Sequence, residues 1–257
     1  MNKVGWWIAS AAFLAAIILG WHALAEARIV SPVFLPTPQR VWNALVKGLQ
    51  NGPLAYYAWQ TITHVFWGWF AASCLAIALG ALIEIWPTLR EFVQPTLEMM
   101  RPLPASATIP IFTLALGLNE SMVITVIAFG ALWPTLLSTV HGLRSVDQQL
   151  YEVAATLRLS KFDTVRKIAL PSAMPDILAG MRISITISLI LTVVSEMLAG
   201  VGGLGQWILN AGRVFRADNL FAGIFVLGLL GLISTNLIVA LEKYLLRWKP
   251  TQMTKGI

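Results

Sequence analysis

Two ionisable residues, Arg101 and Glu196, lie inside strongly apolar segments and are the first candidates for chemistry. If these segments cross a bilayer, an Arg at its centre costs about 2.5–3.5 kcal/mol, so Arg101 needs a partner or a wet path. Glu196 is the best candidate partner. Two interpretations stay open: a structural ion pair that fixes helix packing, or a charged lining of a path. An unpaired Arg101 would favour anions, whereas pairing with Glu196 would remove that preference.

Further residues near Arg101 and Glu196 have the same two interpretations, helix packing or the lining of a path. Three prolines (Pro102, Pro104 and Pro110) interrupt backbone hydrogen bonding after Arg101, which a membrane tolerates only beside protein or a water-filled cavity. Small hydroxyl residues precede Glu196, and such residues usually bond neighbouring helices or carbonyls. The candidates for a substrate path or gate are therefore Arg101, Pro102, Pro104, Trp133, Ser188, Thr192 and Glu196.

Other sequence patterns that could indicate a binding or catalytic site do not form one. The run GVGGLG at 200–205 has the G-x-G-x-x-G spacing, but no strand precedes it, so we predict a turn. His22, His64 and His141 have no metal-ligand spacing, and we predict that they pack near span ends. Cys74 is the single cysteine, so no internal disulfide forms. Since the chain also lacks a P-loop sequence, we predict no catalytic residue, metal or cofactor in this subunit.

The composition identifies the elements that must position these residues. Hydrophobic residues make up 57% of the 257 and charged residues only 12%, against about 25% charged in soluble domains. Several apolar tracts approach the ~20 residues that cross a bilayer as a helix, and the alternation of barrel strands is absent. We predict an all-α, multi-pass membrane protein with a single domain over 1–257. Its six spans are predicted at about 6–25, 60–86, 92–116, 121–142, 177–199 and 220–245.

The N-terminal segment resembles a signal peptide, because a basic residue and an apolar run precede an Ala-x-Ala sequence at 23–25. The apolar run exceeds the usual ~7–15 residues of a signal core, so we favour an uncleaved first span. After it, Pro38 suits the first turn of a short helix. Apolar residues at helical spacing place that helix in the membrane interface: Val41, Trp42, Leu45 and Leu49.

The distribution of Lys and Arg orients the spans. With the N-terminus in the cytoplasm, the inner segments hold more of the 18 basic residues than the outer segments do, as the positive-inside rule requires. The net charge of +6 therefore indicates membrane topology rather than nucleic-acid binding. The polar stretch at about 144–175 falls on the cytoplasmic side.

That polar stretch reads as a helical hairpin. Its apolar residues form two stripes at helical spacing: Leu150, Val153, Ala154 and Leu157, then Phe162, Val165, Ile168 and Ala169. Ser160 with Asp163 predicts a helix start, and Pro171 predicts the end of the second helix. Two interpretations are open: a loop that packs on its own membrane domain, or a surface for another protein. Small residues such as Ala154 and Ala155 would let a partner approach closely.

The spacing in this hairpin resembles the EAA loop of ABC-importer permeases, which reads Glu-Ala-Ala, three residues, Gly, nine residues, Ile, one residue, Leu-Pro. Val153 replaces the first Ala, and Arg158 replaces the Gly that usually permits the sharp turn. Either Arg158 turns differently there, or the first helix runs further towards Ser160. Four other stretches resemble permeases of the nitrate, sulfonate and taurine importers: FLPTPQRVWNAL, RPLPASATIPIFTLALGLNES, MPDILAGMRISI and SEMLAGVGGLGQWI.

The resemblance implies a type I ABC-importer permease of the bacterial inner membrane. It implies a second permease copy (a homodimer), two cytoplasmic ATPases that hold ATP and Mg, and an external substrate-binding protein. The residues implied in ATPase coupling are Glu152, Ala154, Ala155, Arg158, Ser160, Ile168, Leu170 and Pro171.

The implied cargo is a small anion such as a sulfonate, taurine or nitrate, with a pyrimidine-like or aromatic-acid cargo as the alternative. A rival from another class is a six-span intramembrane serine protease. It would need a Ser in a Gly-x-Ser-Gly-like turn, which the chain does not contain.

Overall fold

The computed structural model describes residues 3–100 and 102–248, and every regular element in these ranges is helical. The α-helices, in chain order, are α1 (Lys3–Glu26), α2 (Pro38–Gln50), α3 (Leu54–Ile85), α4 (Pro87–Met100), α5 (Ile109–Leu116), α6 (Glu120–Arg144), α7 (Gln148–Thr156), α8 (Lys161–Thr164), α9 (Leu170–Ala199), α10 (Leu204–Arg213) and α11 (Ala217–Leu245). A 3₁₀ turn (Ala105–Thr108) precedes α5, and a π turn (Val165–Ala169) joins α8 to α9. Arg101 lies outside the described residues.

Five helices in the described part are long and apolar enough to cross a membrane. They are α1, α3, α6, the continuous helix Lys161–Ala199 and α11. The all-α, membrane-spanning prediction is confirmed, as is a helix over five of the six predicted spans. The predicted helix at Pro38 is also confirmed, because α2 begins there with Pro38 in its first turn.

The prediction of one continuous third span over 92–116 is wrong. This segment is divided among α4, the 3₁₀ turn and α5, and the longest apolar piece is the short stretch Ala105–Leu116. Pro102 and Pro104 lie in the break. Proline removes a backbone donor and clashes with the carbonyl four residues earlier, so two prolines this close end a helix.

The chain forms two compact units. The first comprises the residues up to Thr61 together with Gly202–Leu229. In it the Trp21 indole N–H donates to the Pro36 carbonyl at 3.0 Å and its ring stacks on Phe221. The Leu204 amide donates to Thr61 Oγ1 at 2.8 Å. These bonds hold the loop before α2 and the start of α10 within the unit.

The second unit comprises Ile62–Val201 and the residues from Leu230, and α6 and α9 are its main packed pair. Small residues let these helices approach closely. A Cβ at Gly130 would lie 2.3 Å from Leu191 Cδ1, and one at Gly180 would lie 2.6 Å from Ser138 Cβ. The Ser184 hydroxyl donates to the Ala131 carbonyl. Such contacts are the usual means of helix association in lipid, where no hydrophobic driving force acts between helices.

Candidate functional site

The hairpin that follows α6 carries an exposed apolar stripe on α7. Leu150, Val153 and Leu157 are 39%, 52% and 65% exposed, whereas Ala154 is buried at 2%. The Asp147 carboxylate caps α7 by accepting from the Gln149 amide at 2.9 Å. Glu152 and Ala155 are exposed. The structure therefore turns the larger apolar residues and Glu152 outward, and Ala154 packs inward.

Arg158 occupies the left-handed backbone region, with φ of +52°, at the end of α7. Its amide bonds the Ala155 carbonyl and the Leu159 amide bonds the Ala154 carbonyl, both at 3.0 Å. This pair of bonds is the Schellman motif that ends many helices, usually with Gly at the left-handed position. Arg158 thus makes the turn that a glycine makes in the pattern the hairpin resembles.

The second helix of the hairpin begins at Ser160, as predicted. The Ser160 Oγ accepts from the Asp163 amide at 3.1 Å and donates to Asp163 Oδ2 at 2.9 Å. Lys167 Nζ lies 2.9 Å from Asp163 Oδ1, one turn later. Phe162 is 63% exposed beside this cap. The cap fixes where the second helix starts relative to the α7 stripe.

The prediction that Pro171 ends the second helix is wrong. The chain runs without a break from Lys161 to Ala199, through the π turn. The Leu170 amide bonds the Val165 carbonyl five residues back, directly before Pro171. A π turn widens the helix, which accommodates the missing donor and the ring of a proline. Ile168 and Leu170 are half-buried, and Pro171 is exposed.

The base of the hairpin is anchored in the second unit. Leu143 of α6, Ala169 of the π turn, and Ala173 and Ile177 of α9 form a buried cluster. The Tyr151 hydroxyl of α7 donates to the Leu143 carbonyl at 3.1 Å. Burial raises the pKa of the Tyr151 phenol, and the negative charge of Glu84 adds to the rise. The neutral phenol therefore remains a hydrogen-bond donor. The base of the hairpin is in direct contact with α6 and α9 through these residues.

Replacing Arg158 with Gly should stabilise the hairpin, because Gly adopts the left-handed region without the roughly 1–2 kcal/mol that other residues lose there. We expect α7 amides to exchange hydrogen more slowly by about fivefold, corresponding to ~1 kcal/mol, with transport kept. Arg166→Gly is the matched control, since a Gly inside a helix destabilises by roughly 0.5–1 kcal/mol. Equal acceleration of exchange in both variants would contradict this account of the turn.

Glu196 is fully buried and pairs with a histidine. Glu196 Oε1 lies 2.9 Å from His64 Nδ1, and His64 is 3% exposed. His64 lies ten residues after the start of the 32-residue α3. Arg101, the predicted partner of Glu196, lies outside the described residues. Sequence analysis missed His64 because the two residues are 132 positions apart.

The sequence of α3 contains a pattern that places His64 on a packed face of the helix. Thr61, His64, Gly68 and Ala72 follow one another at three-to-four spacing, and Thr61 and Ala72 are 0% exposed. A histidine in such a stripe lies on the packed face of a membrane helix, where an ionisable group needs a partner. Glu196 is the acidic residue that the fold brings to it.

The other path candidates on α9 are buried and bonded within the helix. The Ser188 hydroxyl donates to the Ser184 carbonyl and the Thr192 hydroxyl to the Ser188 carbonyl, at 2.9 and 2.7 Å. Ser188, Thr192 and Glu196 follow at four-residue spacing and are all 0% exposed. In this structure they lie on a packed face of α9.

Trp133 lines a cavity of about 250 Å³ between α4 and α6. The basic residues Arg90, His141 and Arg144 line the same cavity, together with Glu98. The buried Trp133 indole N–H has no hydrogen-bond partner in the described structure. Pro102 and Pro104 are exposed in the break after α4. The candidates thus divide between a packed face of α9 and a basic cavity beside α4.

Metal chemistry has no support in the described part of the chain, where no three His, Cys, Asp or Glu side chains cluster. The GVGGLG run forms the predicted turn between α9 and α10, with Gly200 and Gly203 at positive φ. The described structure therefore offers a protruding hairpin, a buried His–Glu pair and a basic cavity.

Two solved structures share the fold of this chain. The chain matches the MetNI methionine ABC transporter in an inward-facing conformation with a TM-score of 0.66, at 18% identity, covering 75% of this chain and 95% of that chain. It matches an amino acid ABC transporter with a TM-score of 0.61, at 15% identity, covering 79% and 97%. The chain therefore has the same fold as these ABC-transporter chains.

The chain belongs to the binding-protein-dependent transport system inner membrane component family, which it matches over residues 65–247. The permease SsuC of Bacillus subtilis, named for aliphatic sulfonates, is 30% identical over 95% of this chain and 88% of its own length. The taurine transport permease TauC of Escherichia coli is 29% identical over 91% and 87%. The bicarbonate transport permease CmpB of Synechococcus elongatus is 30% identical over 86% and 81%. Within this family the chain falls among the permeases of sulfonate, taurine and nitrate type.

Proposed function

We propose that this permease imports a small anion and is driven by a separate ATPase that grips the α7–α8 hairpin. The assembly is two permease copies, two cytoplasmic ATPases and an external binding protein. The N-terminus and the hairpin face the cytoplasm, in agreement with the excess of Lys and Arg in those segments.

The observation that carries the proposal is the exposed apolar stripe on a hairpin with a buried base. Leu150, Val153 and Leu157 leave apolar surface exposed on a helix of nine residues. Such surface on a protruding element marks a contact with another protein. The continuous helix Lys161–Ala199 connects this contact to the α6–α9 pair. Closure of the ATPases would then move α9 as a rigid body.

The anionic cargo is supported by two features. The relatives are named for aliphatic sulfonates, taurine and bicarbonate. The cavity between α4 and α6 is lined by Arg90 and Arg144, donors that suit an oxyanion, together with the carboxylate of Glu98. Of the alternative cargoes, a neutral pyrimidine-like molecule would not use this charge, whereas an aromatic acid would.

Reconstitution tests the proposal. The permease, its cognate ATPase and the binding protein are placed in proteoliposomes, and uptake of labelled ethanesulfonate, taurine and bicarbonate is measured. We expect ATP-dependent uptake of at least one of these anions that disappears when either soluble partner is omitted. A permease that neither co-purifies with the ATPase nor changes its hydrolysis rate would contradict the proposal.

A further inference from the structure

The first unit contains a cavity of about 790 Å³ that the import mechanism above does not use. It lies between the loop that precedes α2, α2 itself, and the junction of α10 and α11. Sixteen residues line it, and ten of them lie between Pro32 and Pro53. These ten precede residue 65, where the match to the permease family begins. The cavity is therefore largely built from residues that precede the matched range 65–247.

Three cations line this cavity against one carboxylate. Arg40 and Lys47 lie two turns apart on one face of α2, and Arg216 approaches from the α10–α11 junction, beside Asp218. None of the three cations forms an ion pair within 4.0 Å in the described part of the chain. Three cations against one carboxylate leave the cavity lining with a net charge of about +2. An anion with several acceptor oxygens would satisfy these donors together.

The start of α11 adds a second source of positive potential. Ala217, Asp218 and Asn219 are the first three residues of this 29-residue helix and all line the cavity. The amides of a helix's first turn have no partner within the helix, and the helix dipole makes that end positive. Phosphate and sulfate groups bind at such ends for this reason. Here the helix end coincides with the three cations.

A strained turn holds Arg216 and the start of α11 at the cavity. Phe215 has φ of +54°, a conformation that is uncommon for a bulky residue. The Phe215 amide bonds the Gly212 carbonyl at 3.2 Å, and the Arg216 amide bonds the Ala211 carbonyl at 2.9 Å. The Phe215 ring also packs edge-to-face on Phe34, with 6.1 Å between centroids. These two bonds form the same Schellman motif that ends α7 at Arg158, and here the motif ends α10 and sets the direction in which α11 starts.

The opposite face of α2 indicates at which level of the membrane the cavity lies. Val41, Trp42 and Leu45 line a separate apolar groove with Trp21 and Phe221. Trp42, Phe34 and Phe215 are each more than 60% exposed. An amphipathic helix with exposed aromatic residues lies at the level of lipid headgroups. The cations on its other face are then within reach of headgroup phosphates as well as of soluble anions.

We propose that this cavity binds an oxyanion of the phosphate or sulfonate type through Arg40, Lys47, Arg216 and the N-terminus of α11. The oxyanion comes either from an anionic phospholipid headgroup or from a soluble ion. The site is separate from the ATPase contact and does not depend on the identity of the cargo.

The test compares the wild-type permease with a triple variant, Arg40→Gln, Lys47→Gln and Arg216→Gln. The matched control is Arg28→Gln with Arg213→Gln, which removes two exposed cations that do not line the cavity. A second variant, Arg40→Lys with Arg216→Lys, keeps the charge. One arm measures phosphatidylglycerol retained by permease from mixed nanodiscs, using native mass spectrometry, with phosphatidylcholine as the reference lipid. The other arm measures the sulfate-dependent rise of Tm in lipid-free micelles, against sodium chloride of equal ionic strength.

We expect the triple variant to bind the oxyanion at least tenfold more weakly, because it loses three positive charges and the charge-assisted hydrogen bonds that they would donate. The control and the Lys variant should bind as the wild type does. Loss in the lipid arm alone assigns the site to a headgroup, and loss in the sulfate arm alone assigns it to a soluble ion. Equal binding by wild type and triple variant in both arms would overturn the proposal. So would a loss of the same size in the control. An unchanged Tm without added anion shows that the triple variant is folded.

Discussion

Replacing Glu152 with Lys is expected to abolish transport and uncouple the ATPase while leaving membrane insertion intact. Glu152 is exposed on α7, and its side chain makes no hydrogen bond or ion pair in the described structure. Its loss therefore costs the permease itself little. At an interface, truncating one partner of a buried charge pair costs about 2–5 kcal/mol, and a reversed charge adds repulsion. Uptake and permease-stimulated ATP hydrolysis should both fall by at least about 30-fold.

Glu26→Lys is the matched control for this reversal. Glu26 is also an exposed carboxylate, at the end of α1, and its replacement changes the net charge by the same amount. We expect normal uptake by that variant. Normal uptake by the Glu152→Lys permease, at equal amounts in the membrane, would show that Glu152 does not contact the ATPase.

The second large effect is expected at the buried His64–Glu196 pair. Removing one member of a buried pair takes a close contact from the other and costs about 3–5 kcal/mol, whereas replacing both with apolar residues of similar size costs much less. His64→Leu and Glu196→Leu should each lower the unfolding free energy strongly, and the double variant should recover much of the loss. Unfolding by a denaturing detergent measures this coupling as a double-mutant cycle.

Transport supplies the second readout for this pair. If the pair only fixes the packing of α3 against α9, transport should recover in the double variant together with stability. If the pair serves the path, stability should recover and transport should not. Additive losses of stability in the cycle would contradict the pairing itself. The same substitutions at Thr135 and Thr139, which are buried, not ionisable and not path candidates, control for general disruption of helix packing.

Most of the fold was predictable because membrane helices follow directly from apolar length. α1, α3, α6, α9 and α11 correspond to tracts that no other structure satisfies in lipid. Pro102 and Pro104 were expected to interrupt backbone hydrogen bonding, but the apolar length of 92–116 still led to the prediction of one span. The error at Pro171 was the opposite one, because a helix end was predicted where the helix continues. The effect of Pro171 depends on the π turn before it, in which Ala169 is buried in a cluster with Leu143 of α6, a contact that local sequence does not specify.

Some features of the candidate site were also predictable from the sequence, and others were not. The Ser160 cap follows from local spacing and was predicted, whereas the exposed position of Glu152 on α7 comes from the structure. The left-handed turn at Arg158 contradicts the residue's own preference, so only the spacing of the surrounding motif indicated it. The partner of Glu196 could not be predicted, because the contact with His64 depends on how α3 packs on α9. Sequence patterns thus predict contacts within a helix better than contacts between helices.

Site-directed crosslinking of the hairpin tests the central claim most directly. The single native cysteine, Cys74, is replaced by Ala, and one new cysteine is placed at Leu157, which is 65% exposed on the α7 stripe. Leu118→Cys, at a 61% exposed position just before α6, is the control at the other end of that helix. In the assembled transporter we predict a crosslink from position 157 to the ATPase that changes with bound nucleotide, and none from position 118. Labelling of position 157 from outside intact cells, or the absence of any crosslink to the ATPase in a transporting assembly, would contradict the account.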